Sequence, residues 1–177
     1  YYRNFRKGME YQRNIDNCDV ATRVLCISDC HVPFQLSLDN LFKYKGRVDI
    51  LCLNGDIGDC QSISSYPKVY RKSPMEEMIE TRQYMIDMIE YIRPKRVVIN
   101  YGNHELRFQN YLVKNLDTDI LELMPQTSLE LICVDGFKRY DKREKTKVEY
   151  KPLVDVFEDV QIEYTNNWYT QIGATNN

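Results

Sequence analysis

Three short apolar runs, each closed by a cluster of polar residues, constrain this chain more than any other feature. They are Arg23-Val-Leu-Cys-Ile-Ser28, Val48-Asp-Ile-Leu-Cys-Leu53 and Arg96-Val-Val-Ile-Asn100. Their length and β-branched content predict buried strands. Ser73-Pro74-Met75-Glu76 carries the signature of a capping box with proline at the first helical position. Met75, Met78, Ile79, Met85, Ile86, Ile89 and Ile92 follow at helical spacing, and Pro94 ends the run. A Met stripe of this kind is core packing rather than a cofactor box. Residues 37–45 predict a short helix, residues 60–72 lack periodicity and predict a loop, and a further helix is expected from about 105 to 115. Strands alternating with helices imply an α/β fold on a parallel sheet with right-handed crossovers.

The pattern changes after residue 127. Leu129-Glu-Leu-Ile-Cys-Val134 predicts another strand. Residues 138–151 carry seven basic and three acidic side chains, a net +4. Such a stretch is first a solvated loop or long hairpin, and second a patch that would meet a phosphate backbone. Val160–Tyr164 and Trp168–Ile172, joined by Thr165-Asn-Asn167, predict a hairpin. Residues 1–20 are polar and predict an arm outside the core, leaving residues 21–177 as one domain.

Each of the three predicted parallel strands ends in side chains that can hold a metal. The first ends in Asp29-Cys30-His31, the second in Gly55-Asp56-Ile57-Gly58-Asp59 and the third in Gly102-Asn103-His104-Glu105. Ligands of open α/β sheets bind beyond the carboxyl ends of the strands, so neighbouring strands would bring these clusters to one pocket. The chain has two histidines, and both lie in the clusters. Carboxylate and imidazole suit Mn, Fe, Zn or Ni, a carboxylate can bridge two ions, and two ions can clamp a phosphoryl group. Glycines beside Asp56 and Asn103 let the backbone turn sharply. Cys30 lies between two candidate ligands and is expected to point away from them as packing. Cys60, next to Asp59, is read as packing as well.

The ordered motifs D-x-H, G-D-x-x-D and G-N-H-E, each after an apolar strand, resemble the calcineurin-like metallophosphoesterase superfamily over residues 22–110. The resemblance implies a β-sandwich between helix layers (αββα), of which this chain would be the N-terminal portion. It implies two divalent ions, with Asp29 and His31 on one, Asp56 bridging and Asn103 on the other. His104 would be the catalytic acid or charge stabiliser, supported by Asp59 and Glu105. The activity implied is hydrolysis of a phosphate ester by in-line attack of a metal-bound hydroxide. Arg107 is a candidate phosphate contact, with a surface salt bridge as the plain alternative.

The superfamily pattern continues with a lone His and a G-H-x-H segment, and this chain has no histidine after His104. It is therefore expected to be C-terminally incomplete and to hold one ion well. The alternative is a truncated or degenerate, catalytically inactive module that uses the fold for binding. The basic stretch tilts the expectation toward a phosphodiesterase or nuclease.

Composition narrows the field further. A formal charge of -2 argues against coating nucleic acid by bulk charge, leaving a local patch open. No apolar run approaches about 18 residues, which excludes a membrane-spanning helix. Six cysteines without a C-x-x-C pair favour free thiols, with Cys26 and Cys52 as small core residues, and a cytoplasmic setting. A phosphate-ester substrate is the expected partner, and oligomerisation is left open.

Overall fold

The computed structural model describes residues 22–68, 72–141, 143–167, 169, 170 and 172. The expected polar arm lies outside them. Strands β1 (Val24–Ile27), β2 (Ile50–Asn54) and β3 (Arg96–Asn100) form where the three apolar runs predict them. Between β2 and β3 runs helix α1 (Pro74–Ile92). Its capping box is complete: the Ser73 hydroxyl accepts from Glu76 N–H at 3.2 Å, and Glu76 accepts from Ser73 N–H at 2.9 Å. Arg93 ends the helix at φ 57°, where its N–H reaches the Ile89 carbonyl. Helix α2 (Leu106–Asn115) follows β3 as expected. The segment between β1 and β2 is a 3-10 helix, Leu38–Tyr44. The expected loop at 60–72 contains a 3-10 turn, Gln61–Ile63, tied to α1 because the buried Glu77 carboxylate accepts from Ser62 N–H at 3.1 Å.

The sheet runs β1-β2-β3-β6, where β6 is Gln161–Thr165, and every pairing is parallel. The register aligns Ile27 with Leu53, and Asn54 with Asn100 and Thr165. The chain therefore leaves β1, β2 and β3 at one level, which is what lets three loops meet. Alternate residues Leu51 and Leu53, Val97 and Ile99 join Met85, Met88, Ile89 and Ile92 of α1 in one buried cluster. Met85 and Met88 are fully buried, so the Met stripe is core, and Met88, three residues after Met85, belongs to it as well.

Three expectations are corrected. Residues 128–135 are not a strand: a helical turn, Ser128–Glu130, runs on into a π-helical turn, Leu131–Asp135. A short apolar run fits a buried helix as well as a strand, and here Thr127 caps it by accepting from Glu130 N–H at 3.0 Å. The hairpin expected at 160–172 is replaced by β6, which adds to the parallel sheet beside β3. Its second arm includes Trp168 and Gln171, which lie outside the described residues, and Tyr169, Thr170 and Ile172 form no strand. Cys26 is exposed on the edge strand, whereas its cross-strand neighbour Cys52 is buried. The basic stretch is a two-stranded antiparallel ribbon, β4 (Phe137–Asp141) with β5 (Thr146–Tyr150).

Candidate metal and phosphate site

The loops after β1 and β2 continue the pairing of their strands. Asp29 N–H reaches the Gly55 carbonyl at 3.3 Å, His31 N–H the Asp56 carbonyl at 3.0 Å and Val32 N–H the Ile57 carbonyl at 2.8 Å. Asp59 N–H returns to the Val32 carbonyl at 3.1 Å. Asp29, His31 and Asp56 all take left-handed backbone, at φ 55°, 50° and 52°. Residues other than glycine enter that region at a cost of about 1–3 kcal/mol, so the surrounding bonds must hold them there. Cys30 lies between them, buried, with burial pushing its thiol up to about 11. It is packing, as is Cys60, whose Sγ sits 3.4 Å from the Ser128 hydroxyl and whose thiol burial pushes up to about 12.

The loop after β3 docks against the loop after β2 by direct backbone contact. A Cβ on Gly55 would sit 2.4 Å from Gly102 N, and one on Gly102 would sit 2.3 Å from Asp56 Oδ1. Only glycine fits at either position. The junction is locked by Glu105, which is fully buried. Its Oε2 accepts from Gly102 N–H at 2.8 Å and Asp56 N–H at 2.9 Å, and its Oε1 from Ile57 N–H at 2.9 Å and Gly58 N–H at 3.1 Å. Burial pushes the Glu105 carboxyl upward, against the N–H groups of Gly102, Asp56 and Gly58, which favour the anion. Glu105 is thus a structural clamp of the two loops.

His104 is held at three points. Its N–H donates to Asp56 Oδ1 at 2.8 Å. Its Nδ1 lies 2.9 Å from Asp59 Oδ1 and 3.1 Å from the Asp59 carbonyl. Its Nε2 lies 3.1 Å from Arg107 Nη2. A guanidinium only donates, so Nε2 accepts and the Nδ1–H points to Asp59. Arg107 Nη1 also donates to the Asp59 carbonyl at 2.7 Å. Its Nη1 also lies 3.7 Å from Asp59 Oδ1, so Arg107 pairs with Asp59 while its Nη2 holds His104 Nε2.

His31 stands edge-on to His104, with ring centroids 4.3 Å apart. Its Nε2 is 3.8 Å from Asp29 Oδ1 and its Nδ1 is 3.5 Å from Asp59 Oδ1. The Nδ1 is buried and has no hydrogen-bond partner. One ligand atom from each of His31, Asp56 and His104 lies within 4.8 Å of the others. The Asp29 side chain is largely exposed, and Asn103 is exposed beside Arg107 on the wall of a cleft. The cleft follows α2 through Asn110, Tyr111 and Lys114. Those three residues were not singled out from the sequence, although their offsets of three, four and seven from Arg107 trace one helix face.

The donor set fits a divalent cation. A 3.8 Å separation is too long for a His31–Asp29 hydrogen bond, yet it suits two ligands that each sit about 2.0–2.2 Å from one ion. His31 Nε2 and the Asp56 carboxylate supply the N and O donors that borderline metals take. Both nitrogens of His104 are already engaged, by Asp59 and by Arg107.

A sequence model of the calcineurin-like phosphoesterase family matches residues 22–172. The chain belongs to that family, whose members bind divalent metals and hydrolyse phosphate esters. No curated protein and no solved structure matches the chain. Among the described residues no helix is long and apolar enough to cross a membrane.

Proposed function

We propose that this chain hydrolyses a phosphate ester, a phosphodiester in preference to a monoester, at divalent cations held by Asp29, His31, Asp56 and Asn103. The observation that carries the reading is the convergence of His31, Asp56 and His104 within 4.8 Å at the carboxyl end of the sheet. Bound there, a divalent cation would neutralise phosphoryl charge and lower the pKa of water. His104 is the proton-transfer residue. Asp59 holds its Nδ1–H, so a proton exchanged with the leaving oxygen would pass through Nε2 once the Arg107 contact to that nitrogen has opened. Arg107 places a fixed positive charge at that nitrogen and stabilises the negative charge that develops beside it. Glu105 and the two glycines preserve the loop geometry on which these distances depend. The preference for a diester rests on the cleft, which extends past Arg107 along α2 and leaves room for a second ester substituent.

The test is hydrolysis of a chromogenic phosphodiester with added Mn²⁺, with Asp56→Asn as the control. Turnover should require the metal and fall roughly 100-fold or more in the variant. A folded chain with no turnover at any Mn²⁺ concentration would leave the binding-module reading in its place.

A further inference from the structure

The cleft beside the site holds about 560 Å³, within the usual range of ligand sites. One wall is the α2 face bearing Arg107, Asn110, Tyr111 and Lys114, and the other is the segment from Ser62 to Lys68. Its chemistry departs from the rest of the chain. The chain as a whole is slightly acidic, at -2, yet among the described residues no carboxylate lines the cleft and three cations do: Lys68, Arg107 and Lys114. Lys68 is positioned by donating to the Ser62 carbonyl at 2.6 Å. Two tyrosines on the walls leave their rings open to solvent, Tyr66 at 73% and Tyr111 at 46% exposure.

We infer that this cleft seats a single strand of nucleic acid, with the scissile phosphate at the Arg107 end. Cations track the backbone and open aromatic faces stack on unpaired bases, the combination that single-strand binders use. Arg107 and Lys114 are seven residues apart, about 10 Å along the helix axis, so the two charges reach past one phosphate. That span favours a strand over a free mononucleotide. A duplex already stacks its bases internally and has no face to offer Tyr66 or Tyr111. The antiparallel β4–β5 ribbon carries more positive charge but interleaves it with Asp141, Glu144 and Glu149, and the cleft against it is lined by Asp135, Glu149 and Asp155 as well as by Lys138 and Lys151. The inference rests on the phosphoesterase reading for the cutting of the strand, while the binding stands on the cleft alone.

Fluorescence anisotropy tests it, using an end-labelled single-stranded DNA of about 12 nucleotides and mixed sequence, in EDTA so that cation and turnover are absent. The strand should bind more tightly than the matching duplex and weaken steeply as salt rises. Tyr66→Ala and Tyr111→Ala should each weaken binding roughly tenfold, and Tyr111→Phe should restore it. Lys114→Gln should lower the salt slope by about 1. Both tyrosines are exposed, so loss of the fold does not enter. Undetectable binding, equal binding by the double alanine variant, or a loss that follows Arg143→Gln and Lys145→Gln instead would overturn the inference. Hydrolysis of the chromogenic diester by the unaltered chain with Mn²⁺ runs in parallel. Turnover without strand binding sinks the cleft inference alone, and tyrosine-dependent binding without turnover sinks the phosphoesterase reading alone.

Discussion

The two ends of the parallel sheet are built from the same strands and solve opposite problems. At the amino end Asp49, Arg96 and Glu163 are each paired. Asp49 accepts from Arg23 N–H and from Lys95 Nζ, both at 3.0 Å, and Arg96 grips Glu163 through Nε and Nη2 at 3.1 and 2.6 Å. Left-handed backbone there falls on Gly46 and on the helix cap Arg93, whose N–H groups close onto Ile92 and Ile89. At the carboxyl end left-handed backbone falls on Asp29, His31, Gly55, Asp56 and Cys60, and the buried polar atoms His31 Nδ1 and Asn100 Oδ1 have no partner. Strain and unmet polar atoms gathered at one end mark the place where a ligand would supply what the protein does not. Glu105 is the exception that makes this tolerable, a fully satisfied carboxylate set beneath the strained loops.

The largest effect should come from removing that carboxylate. Glu105→Ala strands four N–H groups, two of them buried and two partly buried, at about 1–3 kcal/mol for each buried one, which approaches the stability of a small domain. Urea unfolding should show a loss of about 4 kcal/mol. A midpoint near that of the unaltered chain would mean the carboxyl end does not depend on its clamp.

Next in size are the contacts of His104, the proposed proton-transfer residue. His104→Ala should lower kcat roughly 10²–10⁴-fold in the diester assay while Mn²⁺ binding by calorimetry is kept. Asp59→Asn should cost roughly 10–100-fold, because it disturbs the tautomer rather than removing the ring. If His104→Ala abolished Mn²⁺ binding instead, its engaged nitrogens would have been misassigned.

A sharper contrast comes from Asp29→Gly. Its side chain is exposed and its φ is 55°, so glycine relieves strain without leaving a cavity. Stability should rise by about 1 kcal/mol while Mn²⁺ affinity falls. At the other end Asp49→Ala should lower stability and leave diester turnover as it is. Equal responses at the two ends would erase the comparison.

The smallest effect concerns acid. The Arg23 N–H, and after it Lys95, hold the Asp49 carboxyl down at about 2. An unfolded Asp titrates near about 3.9, so the native state binds fewer protons between the two values. Asp49 therefore adds stability above about pH 4, and this is lost as pH falls toward 2. Asp49→Asn should flatten that part of the acid limb, modestly and less so in salt, because the Lys95 partner is exposed.

The two halves of the chain were not equally legible. Up to Asn115 the elements follow from local signals: apolar runs of strand length, the Ser73–Glu76 box and the stop at Pro94. Beyond it the local signals were ambiguous. The run at Leu129–Val134 has no period that separates strand from buried helix, and its cap at Thr127 is one residue upstream of a polar-looking Ser128. The alternation at 160–164 marks a strand correctly, but which neighbour it takes depends on where β3 already lies. Cys26 reads as core from its run, and only its place on the edge strand leaves it exposed.

The sequence by itself determined the inventory: three strands that end in D-x-H, G-D-x-x-D and G-N-H-E, both histidines among them, and a helix long enough to carry the chain across the sheet between the second and third. Motif spacing encodes residue type and order, and those are local. The tertiary structure alone decided the roles. Asp59 and Arg107 take both nitrogens of His104, Glu105 gathers four N–H groups from two loops, and Gly55 touches Gly102 across residues far apart in the chain. Those contacts exist because parallel registers bring three strand ends to one level, and register is a property of neighbouring strands that no single run of residues contains.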